Sequence, residues 1–196
     1  NYWRIIEKNA TDISTNTSKV SDFIRDYLTL ENKKIPNKGK VYQEFKNKYQ
    51  DMSLEQWQTA LDNIKSLVIH YGKLINPQNE KDKDIQQQLY YINRLEINVA
   101  FPFLMKVYDD YNKYIIDKMT FISILELVQS YTWRRFIAGL PTNSLNKTFM
   151  SLYDKVDKNN YLQSLQISLV SKTGGQKFPK NNEVLEALKI KDVYNI

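Results

Sequence analysis

An all-α fold, a bundle of about eight or nine helices with no sheet, follows from three features of the sequence. Only 5 Gly and 5 Pro punctuate 196 residues, whereas a β-sandwich or barrel of this length needs many more turn residues. Apolar residues recur three and four apart over long stretches, the spacing that puts them on one face of a helix. No run alternates with the period of two that a half-buried strand requires.

The elements follow in order. Residues 1–17 read as an irregular, polar lead-in, because Asn9 to Ser18 is rich in side-chain oxygens that compete for backbone donors. A first helix is expected from Ser18 or Ser21 to about Leu30, with Val20, Phe23, Ile24, Tyr27 and Leu28 on one face. Pro36 and Gly39 break the pattern. A second helix follows Asn37 and runs to Tyr49, carried by Val41, Tyr42, Phe45 and Tyr49. Ser53 and Gln56 form a capping box for the third, in which hydroxyl and amide satisfy amide protons that the first turn leaves orphaned. Its stripe of Leu54, Trp57, Leu61, Ile64, Val68, Tyr71 and Ile75 is expected to pack into the core, the commoner source of this spacing; the alternatives are an antiparallel coiled-coil hairpin, a homodimer seam or a docking face for a partner helix.

The fourth helix spans about Lys81 to Leu95, after a charged turn that reads as a solvated helix start. The fifth begins at Pro102, a residue suited to the first turn, and reaches Ile115. The sixth covers Thr120 to Ala138. Gly139 ends it, and Thr142 or Ser144 caps a seventh that reaches Val156. An eighth covers Asn160 to Val170, and a last one Glu183 to Leu188. The whole, 1–196, is expected to be a single helical domain with a basic loop at 171–181. The chain opens on Asn1 and has no stop signal in its last residues, so it is expected to belong to a longer polypeptide.

Composition narrows the function. Without Cys there is neither a disulfide nor a thiolate metal site, which suits a cytoplasmic protein. No apolar run is long enough to cross a membrane. The net charge is +6, and most of the excess is local. Between Lys33 and Lys48 six lysines (Lys33, Lys34, Lys38, Lys40, Lys46 and Lys48) face one acid, Glu44. Lys172, Lys177 and Lys180 make a second cluster in a loop with no acid nearby. Concentrated positive charge is the footprint of a polyanion partner, although lysine-rich solvated surfaces look the same. Arg134 and Arg135 near a helix end, and Lys147 beyond them, could hold acids of neighbouring helices or grip phosphates.

Signatures of catalysis fail on context. His70 is the only histidine and reads as a surface or packing residue. Ser144 and Lys147 make S-x-x-K and Lys172 to Gly174 makes K-T-G. That pair belongs to serine β-lactamases, which hold the second motif on a strand lining the cleft. Here it falls in a polar loop among helices. The same loop has its lysine before its glycines, the reverse of a phosphate-cradling loop. The acids of 80–84 lack the Gly and Glu that a calcium loop needs further on. Asp109 and Asp110 are adjacent, so they point to different helix faces and do not share a proton.

Four segments carry a likeness to a known family: DFIRDYLTL (22–30), IPNKGKVYQEFK (35–46), YYINRLEINVAFPFL (90–104) and YTWRRFIAGLPTNSLNK (131–147). Together they resemble the helical region of GmrSD-type restriction endonucleases, over about residues 22–153. In that family the helical region joins an N-terminal nucleotide-hydrolysing domain to a C-terminal HNH nuclease, and the parent enzyme cuts modified phage DNA. The Asp-Gly-Gln-Gln-Arg motif of the first module is missing here, and one His cannot make the second. The resemblance therefore implies a non-catalytic linking domain that needs no cofactor of its own. Its expected partners are the flanking catalytic domains and, through the twelve Lys and Arg residues named above, the DNA backbone. The alternative is a protein-interaction or dimerisation scaffold.

Overall fold

The computed structural model describes residues 2–190. Ten α-helices are found among them, with one two-stranded ribbon. The tenth helix and the ribbon both come from the expected irregular lead-in, which is therefore corrected. Helix α1 spans Tyr2–Asn9, and strands β1 (Thr11–Asp12) and β2 (Thr17–Ser18) pair antiparallel. Two-residue strands are too short to show a period. Their turn is written in side-chain oxygens: Asp12 Oδ1 accepts from the Ser14 amide at 2.9 Å and from its hydroxyl at 2.7 Å, and Asn16 takes a positive φ.

The remaining helices fall close to their predicted places. They are α2 (Val20–Asn32), α3 (Val41–Tyr49), α4 (Leu54–Ile75), α5 (Lys83–Arg94) and α6 (Phe101–Asn112). Then come α7 (Lys118–Ile137), α8 (Asn143–Leu152), α9 (Tyr161–Val170) and α10 (Asn181–Ile190). Both halves of the capping box of α4 form. Its stripe packs inward, with Ile64, Val68 and Tyr71 buried and Trp57 against Phe45 and Tyr49. Of the stripe only Leu54 is exposed, at 88%, so this face builds the core. No helix among the described residues is long and apolar enough to cross a membrane.

Helix α6 occupies the centre. Nine of its twelve residues are buried, and it touches α2, α4, α7 and α8. Its two acids point apart, as adjacency demands. Asp109 accepts from Ser66 on α4 at 3.0 Å and from Lys113 at 2.6 Å. Asp110 accepts from Tyr153 at 2.8 Å and Tyr161 at 2.7 Å. Burial pushes the Asp109 carboxyl up, but the Lys113 and Ser66 bonds outweigh it and hold the group below its usual range. His70 is buried, stacked on Tyr108 with ring centroids 4.9 Å apart. Glu80 corrects the picture of a solvated acidic run, being buried beside Tyr108 and 2.8 Å from the Lys73 ammonium. Asp82 does cap a helix, accepting from the Asp84 and Ile85 amides.

Helix α1 lies along α4 through one glycine. A Cβ on Gly72 would stand 2.8 Å from the Asn9 carbonyl oxygen and 3.1 Å from its Cβ. Asn76 completes the join, donating to the Thr11 carbonyl and accepting from the Ile13 amide. Gly72→Ala is expected to lower stability by ~1–3 kcal/mol, as overpacking against backbone does. It should loosen the chain's start before the rest. Hydrogen exchange across residues 2–9, with a urea midpoint, reads both; unchanged exchange there would remove this account.

Candidate functional site

The twelve cationic residues separate by their partners. Lys33 pairs with Asp154 at 2.6 Å, and Lys48 reaches Glu31 at 3.8 Å and Asn32 at 3.0 Å. Lys34, Lys38, Lys40 and Lys46 are exposed and form no ion pair among the described residues. Three of these four sit between the end of α2 and the start of α3, where Asn37 caps a 3-10 turn at Lys38–Lys40 through the Gly39 amide. Lys147 and Lys180 are also exposed and without an ion pair among the described residues.

The second cluster is less free than its sequence suggests. Glu183, on α10, neutralises Lys177 and accepts from the Lys180 amide at 2.9 Å, so an acid does stand nearby. Lys172 is partly desolvated and close to Lys155, and both effects depress its pKa. Arg134 bonds Asn181 Oδ1 at 2.7 Å and lies over Phe178.

Arg135 must be withdrawn from the phosphate-gripping set, because it is buried at 1% exposure. Its guanidinium donates to the Pro141 carbonyl at 2.9 Å, Ser144 Oγ at 2.7 Å and the Lys177 carbonyl at 3.2 Å. It also lies 5.2 Å from the Tyr131 ring centroid. After it, Gly139 takes φ +67, and the Gly139 and Leu140 amides return to the Phe136 and Arg135 carbonyls. That is a Schellman stop, as the glycine predicted. Thr142 makes no side-chain cap, so the seventh predicted helix starts without the expected hydroxyl cap there.

A cavity of about 550 Å3 opens beside the lysine edge and was not anticipated. Its size suits a small organic ligand. Lys38 borders it, so the cavity and the basic edge are continuous. Asp12, Asp22, Asp26 and Glu96 bring carboxyls, Lys19 and Arg25 further cations, and Asn93, Asn98 and Asn146 amides. Arg25 is oriented by a 3.0 Å bond from Nε to the Pro36 carbonyl. Asn93 spends its Nδ2 on the Leu74 carbonyl, which leaves its oxygen to accept.

Asp26 is the anomalous member. Its carboxyl forms no hydrogen bond among the described residues. Burial pushes its pKa up to about 8; Arg25 opposes this and Asp22 adds to it. A signal for it was present: Phe23, Tyr27 and Leu30 are buried, and Asp26, spaced three, one and four from them, stands half-buried at the margin of that apolar face of α2. A perturbed acid in a cleft is the ordinary mark of a functional position.

A second cavity of about 590 Å3 lies next to the first and shares Glu96, Val99 and Asn146 with it. It is more apolar, with Trp133, Phe136 and Leu140 on its wall. Glu96 between them takes φ +53, a left-handed conformation that a residue with a Cβ adopts at a cost of about 1 kcal/mol.

Comparison with protein-family models, with curated proteins and with solved structures found no match to this chain.

The raised Asp26 acid has a sign. The folded state keeps its proton up to about pH 8, whereas the unfolded chain loses it near pH 4, so raising pH between those values favours unfolding. Burial lowers His70 to about 4, against the opposing pull of Asp109, and this acts the other way from pH 4 to 6.5. The two offset each other below pH 6.5. Above it the Asp26 effect stands alone. Urea titrations at pH 6.5 and 8 should show the wild type losing on the order of 1–2 kcal/mol, and Asp26→Asn losing none. A wild type as flat as the variant would show that Asp26 titrates normally.

Proposed function

We propose that this chain is a helical nucleic-acid-contacting domain, a non-catalytic part of a larger restriction-type enzyme, which holds the phosphate backbone through the edge between α2 and α3. The parentage rests on the four segments quoted above. The DNA contact rests on one observation: Lys34, Lys38, Lys40 and Lys46 are exposed and carry no neutralising partner among the described residues. Lysines matched to acids are spent within the fold, as Lys33, Lys48, Lys113 and Lys118 are. Four cations left unmatched along one short stretch supply a local field that attracts polyanions.

Such contacts position a duplex without reading its sequence, and each phosphate neutralised releases counterions. Arg134 and the loop at 171–181 are secondary in this reading, since Asn181 and Glu183 occupy much of their donor capacity. Lys147 is a further exposed cation outside that edge.

Fluorescence anisotropy of a labelled duplex, over a salt series, tests the edge. Binding should fall linearly on a log–log plot. Changing Lys34, Lys38, Lys40 and Lys46 together to Gln should reduce the slope by up to about 3.6, at roughly 0.9 per phosphate contact. No binding at low salt, or an unaltered slope, would sink the DNA role.

A further inference from the structure

We propose that the cavity between α2, α4 and α8 is a nucleobase site, in which the Asp26 carboxyl pairs with the hydrogen-bonding edge of a base whose phosphate lies towards Lys38. It rests on the reading above in one respect, that Lys38 belongs to both the basic edge and the cavity.

The chemistry of the lining selects the ligand. A metal ion is a poor occupant, because no group of three acids or histidines among the described residues converges to hold one. A strongly charged ligand of either sign meets like charge, because Lys19, Arg25 and Lys38 share the lining with Asp12, Asp22 and Glu96. A purely apolar one would strand Asp26, whose carboxyl has no hydrogen-bond partner among the described residues. What remains is a neutral planar group with both donors and acceptors on its edge. Bases have that edge, and protonated carboxyls and amides complement it in pairs. The protonated state of Asp26 near neutral pH supplies one donor and one acceptor. Asn98 and Asn146 stand at the same cavity with amides that can complete the pairing. The faces of a base need apolar surface, which Ile35, Val99 and Met150 provide from three separate segments.

A base could arrive as a free nucleotide or turned out from a strand, and the test separates these. The four ribonucleoside monophosphates and a labelled single-stranded DNA 12-mer are titrated against the intact chain by calorimetry and anisotropy. At pH 7 Asp26→Ala should weaken binding about tenfold or more, and Asn98→Ala or Asn146→Ala by a smaller factor. Asp26→Asn, which keeps one donor and one acceptor, should retain binding and lose its pH dependence. The wild type should weaken by about tenfold per pH unit above 8 as the acid ionises. Circular dichroism shows whether each variant is folded, and the two Asn variants carry the test if Asp26→Ala is not.

Mononucleotide binding with this pattern identifies a free-nucleotide site, and oligonucleotide binding alone with the same pattern identifies a base taken from a strand. Binding of neither probe, or binding indifferent to Asp26, Asn98 and Asn146, overturns the proposal. A variant that changes Lys34, Lys40 and Lys46 but keeps Lys38, which borders the cavity, keeps the two readings apart. Base binding without a salt-dependent duplex contact would sink the backbone role and leave the cavity assigned, and the reverse would do the opposite.

Discussion

The fold depends on satisfying two neighbouring carboxylates inside its central helix. Asp109 and Asp110 are both buried, and a helix turns successive residues about 100° apart. No single partner helix can serve both. Ser66 on α4 therefore meets Asp109 on one side, while Tyr153 and Tyr161 meet Asp110 on the other. A buried carboxylate without partners costs several kcal/mol, so the pair fixes which elements surround α6 and at what rotation. The packing that follows is aromatic: Tyr108 and Tyr111 gather Phe121 from α7, and Phe103 reaches Phe149 on α8.

That arrangement also places the cavity. With α4 held on one side of α6 and α8 on the other, the first residues of α6 stand between them, and Phe101 and Pro102 form part of the cavity wall. Helix α2 closes the opening and carries Asp26 into it. The lysine edge then continues from the end of α2, so basic surface and cavity adjoin through Lys38 without any further element. Local sequence sets each helix; the polar satisfaction of α6 sets what they enclose.

Much of the helical order was legible because it is local. The Ser53–Gln56 box, the Pro102 start and the Gly139 stop each act within one turn, and each is found where it was read. What escaped was non-local. Glu80 looked solvated among charged neighbours, and is buried because Tyr108 arrives from 28 residues away. Tyr42 looked like part of an apolar stripe, yet is 77% exposed, since α3 is covered on its Val41 and Tyr49 side only. Gly72 gave no turn signal within α4, and matters because Asn9 crosses it. Among the cations, charge density marked the cluster, but acids distant in sequence decided which members remain unpaired. Asp26 shows the converse: its position at the margin of an apolar face was readable, and its environment comes from five other segments.

Arg135 shows how the most distinctive stretch of the chain shapes the cavities through buried contacts. A buried guanidinium needs several acceptors, and here three segments provide them: the turn at Pro141, the start of α8 at Ser144, and the loop carbonyl of Lys177. Ser144 Oγ in turn stands 2.7 Å from the Gly175 carbonyl. One side chain thus clamps α7, the turn that Gly139 makes, the N-terminal end of α8 and the 171–181 loop. Lysine, a point charge with no fork, could not bridge three acceptors in this geometry. The clamp fixes α8 two residues before Asn146, which borders both cavities. An arginine that sequence places beside a second one, as if for phosphate, is consumed in orienting a helix whose later residues face the cavity.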